Sequence, residues 1–330
     1  MAEGIWIIAA VVIIALVFDY INGMHDAANA IATVVSTRVL SPRTAILMAA
    51  ALNFGGAFLS TAVANTIGKG IVDPSLVNNS IIMAALLGAI FWNLLTWYFG
   101  IPSSSSHALI GGVIGGVASY YGFGVLNPEG LMKILKALIL SPIFGLLGGF
   151  IIMVAIMWIF RRARAGFVNH TFKILQIGSA GFMAISHGSN DAQKIMGVIA
   201  MALFGAGYIN DFHIPFWVVF ACASAMAIGT ATGGWRIIKT MGNKMIKLQP
   251  VNGFAAETAA SIVILGATHF GTPVSTTHVI SSSIMGVGTA KRASAVRWGV
   301  AGNMAVAWVL TIPASGLVAF LIGKAFKALG

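Results

Sequence analysis

An aspartate inside a long apolar run constrains this chain more than any other feature. From Ile5 to Ala32 the sequence reads as membrane-embedded, yet NGMHDAAN at 22–29 sets Asp26 among amides and a histidine at that depth. A carboxylate there costs about 2.5–3.5 kcal/mol on insertion scales, so it marks a functional position unless the helix ends in water near Gly23. The run exceeds the ~20 residues of a simple span. Gly23 is where the helix is expected to break, turning freed backbone groups toward a cavity rather than lipid. A second stretch, GSNDAQK at 188–194, repeats the GxxDA spacing inside another apolar run. That recurrence favours the functional reading.

Composition fixes the class. Hydrophobic residues make up 58% of the 330, charged residues 8%, and mean hydropathy is +0.93, far too apolar for a soluble domain. The expected fold is all-α, a polytopic membrane protein whose main partner is the lipid bilayer. The net charge of +11 does not imply nucleic acid, because the Lys and Arg fall in short gaps between apolar runs and read as topology signals. The one cysteine, Cys222, excludes an intramolecular disulfide or a cysteine-based metal cluster. Glu3 stands where a signal peptide would carry a basic residue, and the N-terminal segment is expected to be retained.

About ten apolar segments follow one another, at 5–35, 44–67, 78–100, 101–122, 131–160, 172–205, 212–236, 251–270, 272–289 and 298–323. If they alternate sides, the basic residues between 38 and 43, 161 and 173, 236 and 247, and 291 and 297 share one side. The other side receives those at 69, 133, 136, 324 and 327. The positive-inside bias then places both termini outside and the 161–173 loop in the cytoplasm.

The chain also carries an internal duplication. Gly23, Asp26 and Ala27 recur as Gly188, Asp191 and Ala192, 165 positions on (191 − 26 = 165). FGIPSSSSH at 99–107 recurs as FGTPVSTTH at 270–278, 171 positions on (278 − 107 = 171), and Pro142 and Pro313 keep that offset. Two repeats, 1–165 and 166–330, with five segments each are forced into opposite orientations within one membrane domain. This is the inverted-repeat plan of secondary transporters, with broken or re-entrant helices and the site at the midplane.

The second motif has chemistry of its own. Pro102 and Pro273 suit the first turn of a helix, and Ser103, Ser104, Ser105, Ser106, Ser275, Thr276 and Thr277 are capping groups behind them. A helix N-terminus offers free N–H donors and a partial positive charge, so two of them meeting would cradle a tetrahedral oxyanion without Lys or Arg. The competing use of such hydroxyls is to bond back to helix carbonyls or to join helices. His107 and His278, which close the motifs, are expected to orient neighbouring serines.

The two GxxDA motifs with the two FGxPxS[ST][ST]H motifs resemble the inorganic phosphate transporter family of cation-coupled phosphate symporters, whose signature contains GANDVANA. The resemblance spans both halves. It implies a dimeric all-helical carrier in the cell membrane that imports phosphate with Na⁺ or H⁺ and uses no enzymatic cofactor. Carried over by position, the motif acids are Asp26 and Asp191, the accompanying amide of the second copy is Asn190, and the phosphate-binding hydroxyls are the seven named above. Glu257 matches a further family acid, and Na⁺, if it is the ion, would sit at Asp26, Asn29 and Asp191.

The chain departs from the family pattern where coupling is set. His25 replaces the signature Asn before the first Asp, and Lys194 stands where the first copy has Asn29. Asn53 takes the place some members fill with an acidic counterpart of Glu257. Lys has no oxygen for a cation, and a fixed ammonium can replace one of two cations. His25 and His187, next to the motifs, carry imidazoles that can take up and release a proton. The expectation tilts to H⁺, with phosphate free or as a metal complex, without excluding Na⁺. Asp19 is left open, supporting the site or facing a cavity. An intramembrane hydrolase or metalloenzyme is disfavoured because neither GxSxG nor HExxH occurs. An anion channel has no need of buried carboxylates. ATP is not expected to drive transport, since the chain has no Walker loop.

Overall fold

The computed structural model describes residues 2–329, which form twelve helices and no strand. In chain order they are α1 (Ala2–Ser36), α2 (Pro42–Gly56), α3 (Ala62–Gly70), α4 (Asn79–Phe99), α5 (Ser105–Tyr121) and α6 (Pro128–Ile159). Then come α7 (Ala165–Gly205), α8 (Phe216–Thr232), α9 (Trp235–Lys239), α10 (Pro250–His269), α11 (Thr276–Lys291) and α12 (Trp298–Leu329). The order long helix, helix, short helix, helix, hydroxyl-capped helix, proline-containing helix thus occurs twice.

By length and composition five helices, α1, α4, α6, α10 and α12, suffice to cross a membrane, and a sixth if α8 and α9, bent by 59°, count as one span. The 41-residue α7 is about 60 Å long at ~1.5 Å per residue, and its polar residues keep it below that apolar threshold. Two of the ten expected segments are not single helices. The run 44–67 divides into α2 and α3, and 212–236 bends at Gly233 and Gly234.

The helix breaks lie away from Gly23. Helix α1 runs unbroken through it, because the missing side chain serves packing. A Cβ there would lie 2.3 Å from the Met226 carbonyl oxygen of α8, and one at Gly188 on α7 would lie 2.2 Å from that of Asn53 on α2. The breaks that matter precede α5 and α11. Gly100 (φ 64°) and Gly271 (φ 61°) adopt the left-handed conformation that ends the preceding segment. The chain stays extended through Pro102 and Pro273, and helix resumes only after the N-caps Ser104 and Ser275. The prolines therefore sit in the extended lead-in and not, as expected, in the first helical turn.

Elements of residues 1–165 and 166–330 interlock. Helix α1 packs on α8 and α2 on α7, while α5 packs on α12 and α6 on α11. The interior divides into two apolar clusters, one including Phe18, Leu86 and Leu109, the other Ile31, Phe172 and Ile284. Side chains such as Phe144, Ile151, Phe220 and Val309 face outward, as a protein solvated by lipid requires.

Candidate functional site

The four motifs converge between α1, α7 and the N-termini of α5 and α11. On α1, spacing by three and four brings Asp19, Asn22, Asp26, Asn29 and Thr33 onto one face, and all five are buried. On α7 the same spacing aligns His187, Asn190, Asp191 and Lys194, buried as well.

The N-terminus of α11 ties the two aspartates together. Thr276 donates to Asp191 Oδ2 at 2.8 Å and Thr277 to Asp26 Oδ1 at 3.2 Å. Asn29 donates to both threonine hydroxyls, at 3.2 and 3.0 Å, leaving its own carbonyl oxygen unpartnered. One ligand atom each of Asp26, His187 and Asp191 lies within 4.8 Å of the others. This is a carboxylate, imidazole, carboxylate set able to hold a cation or share a proton. His187 Nε2 stands 3.1 Å from Asp191 Oδ2, outside hydrogen-bond geometry.

Lys194 reaches three oxygens. Its ammonium contacts the Asp191 carboxylate and the Ser106 hydroxyl, and donates to the Val274 carbonyl at 2.9 Å, in the extended segment before α11. Carboxylate, hydroxyl and main-chain carbonyl are the ligands a hard cation takes, and here an ammonium sits among them. The side chain is buried, so it does not reach up to the interface.

On the α5 side, Ser104 caps the helix by accepting from the His107 amide at 3.2 Å, as Ser275 does from His278. Their acceptor sites are used internally. Ser105 is buried with an unpartnered hydroxyl, and Ser103 donates to Thr96 at 2.8 Å and lies 3.3 Å from His25 Nε2. His25 Nδ1 is 2.8 Å from Asp26 Oδ1, so the imidazole links the carboxylate to the Ser103–Thr96 pair. His107 and His278 lie ring against ring at 4.4 Å, tilted by 30°, and His278 stacks on Trp308 at 4.0 Å. His107 also lies 2.8 Å from the Ser104 hydroxyl, which suits an orienting role.

Two sequence-chosen residues stand apart. Glu257 on α10 is held by Thr33, Gln176 and Ser179, in a separate buried cluster about one heptad along α1 from Asp26. Asn190 turns to α10, donating to Thr268 at 2.8 Å. Asn53 is not positioned as a counterpart of Glu257. It lies on α2, bonded to Thr230 and His187, whereas Glu257 stepped back by the offset of 171 falls on buried Leu86 (257 − 171 = 86). Sequence reading missed Thr33, Thr96, Gln176 and Ser179. The three-and-four spacing of Thr33 from Asn29 and of Gln176 from Ser179 was the available signal.

Comparison with known proteins gives this site its setting. A sequence model described as the Phosphate transporter family matches residues 22–319. The chain belongs to the phosphate transporter family. It is 50% identical to a Rhizobium meliloti protein named "Probable low-affinity inorganic phosphate transporter", over 96% of this chain and 95% of that one. A Bacillus subtilis protein of the same name is 52% identical, over 94% and 96%. Among solved structures, one named "The sodium-dependent phosphate transporter" superposes with a TM-score of 0.88 at 24% identity, covering 98% of this chain and all of that one. This member of the phosphate transporter family therefore has the helical fold expected from its sequence, and its relatives are named for transport and not for catalysis.

Proposed function

We propose that the chain is a secondary active importer that carries inorganic phosphate across the cell membrane, with H⁺ as the coupling ion and alternating access between inverted halves 1–165 and 166–330. The observation that carries this reading is the meeting of Asp26 and Asp191, one from each half, on the N-terminal hydroxyls of α11. A group contacted by both halves is the element that changes partners when one half rocks against the other. Phosphate would be held at the N-termini of α5 and α11 by Ser105, Ser106, Thr276, Thr277 and adjacent main-chain N–H groups, with Ser103, Ser104 and Ser275 shaping the cradle. The unpartnered Ser105 hydroxyl supports that placement.

Proton coupling is supported by Lys194, whose ammonium fills one cation position, and by His25 and His187 beside the two carboxylates. Sodium is the second reading. It is favoured by the free Asn29 oxygen near Asp26 and by the sodium dependence that the structural neighbour's name carries. A metal–phosphate complex would draw on the Asp26, His187 and Asp191 set. The charge distribution supports external termini, and a homodimer is what the family resemblance implies.

The test is uptake of radiolabelled phosphate into proteoliposomes, with Na⁺ replaced by choline, under imposed pH gradients. Uptake driven by an inward proton gradient in choline is expected. Uptake that needs Na⁺ at every pH would replace H⁺ by Na⁺, and uptake indifferent to both gradients would rule out coupling.

A further inference from the structure

Asp19 is a buried acid to which the transport reading gives no work. It lies on the same face of α1 as Asp26, one heptad earlier, about 10 Å along the axis at ~1.5 Å per residue. Its exposure is 0%. Neither carboxylate oxygen makes a hydrogen bond of good geometry, although the Asn22 amide and the Cys222 thiol stand beside it, and the Asn22 oxygen one turn on is unpartnered. Three oxygens without a well-formed hydrogen bond thus lie inside an apolar bundle, where a poorly partnered carboxylate is strongly unfavourable unless a cation or proton accompanies it. The titratable and charged groups that face it are Cys222 on α8 and, farther off on α7, Asp191 and Lys194, close enough to act on it electrostatically. No base pairs with it.

Its position is mirrored across the central site. Thr33, one heptad after Asp26, contacts Glu257. The buried stripe of α1 therefore has an acid at each end, Asp19 on the helix itself and Glu257 of α10 through Thr33, with Asp26 midway. Spacing of this kind suits an ion that moves along α1 in steps.

We propose that Asp19 and the Asn22 amide oxygen form an outer position for the coupling cation, a small monovalent ion that passes between it and Asp26 when the central site opens on that side. This rests on the coupled-transport reading and adds to it a site on the ion path that phosphate does not touch.

The experiment uses the full chain in proteoliposomes and compares wild type with Asp19→Asn. Initial phosphate uptake is measured against Na⁺ at fixed pH and against pH in choline. The half-saturating cation concentration is expected to rise about tenfold, from loss of a charged ligand, in the arm that belongs to the coupling ion. The apparent KM for phosphate at saturating cation should stay within about twofold, which a general disturbance of the fold would not leave intact. Superimposable cation profiles in both arms would overturn the proposal. Absence of gradient-driven uptake in wild type would instead overturn the coupled-transport reading beneath it. Should Asp19→Asn fail to insert, Asn22→Leu serves in its place: a smaller shift in the same arm is expected, and an unchanged profile counts against the site.

Discussion

Ser105 and Thr276 stand at equivalent places in the two hydroxyl motifs but in different circumstances. Thr276 already donates to Asp191, whereas Ser105 is buried with nothing to bond. A hydrogen bond to a charged group contributes about 1.5–3 kcal/mol, so Ser105→Ala is expected to raise the apparent KM for phosphate roughly tenfold or more with little loss of stability. Saturation curves of initial uptake check this, and an unchanged KM would move the substrate off the α5 N-terminus. Lys194→Asn restores the Asp-x-x-Asn pattern of the first half and leaves Asp191, Ser106 and the Val274 carbonyl facing a cation-sized gap. Either loss of transport or a new requirement for Na⁺ is expected, measured with choline as the replacement ion across a range of pH. Activity equal to wild type throughout would mean that the ammonium does not act as a cation in the site. Asp26, Asp191 and Lys194 were legible because ionisable groups in apolar runs are few and two copies kept one spacing. The Glu257 cluster and the bonds of Thr96 were not, since hydroxyls and amides in membrane helices serve helix contacts as often as sites, and only the folded chain decides which neighbour they meet.

At the scale of the helices, the pattern of apolar runs gave the class of fold but not where helices stop. Gly23 and Gly188 resemble hinges in sequence, and a residue without a side chain serves equally where another backbone comes close. Here the carbonyls of Met226 and Asn53 take up that space. Gly188→Ala is therefore expected to destabilise the protein by about 1–3 kcal/mol, as overpacking does, and to lower the thermal midpoint in detergent. An unchanged midpoint would mean that α2 and α7 can separate freely. The breaks before α5 and α11 were foreshadowed by Gly100, Pro102, Gly271 and Pro273, but the proline rule for first helical turns set their boundaries three residues early. The hydroxyl caps at Ser104 and Ser275 override it, since each satisfies an otherwise free amide of the first turn.

Across the whole molecule, the packing of α1 on α8 and of α2 on α7 means that a shift of one half against the other changes contacts along these shared faces. The central site lies where such a shift would be felt, since α11 holds both aspartates. The duplication was visible as two offsets, 165 and 171, yet nothing in a sequence of apolar runs says that the halves interlock. The most direct measurement is gradient-driven phosphate uptake by Asp26→Asn and Asp191→Asn beside wild type, with phosphate binding followed in parallel on the purified proteins. Each Asn keeps the shape of the side chain and removes its charge. Loss of gradient-driven uptake in both variants, with phosphate binding retained, is expected. Wild-type uptake in either correctly inserted variant would contradict a joint coupling site built from the two halves.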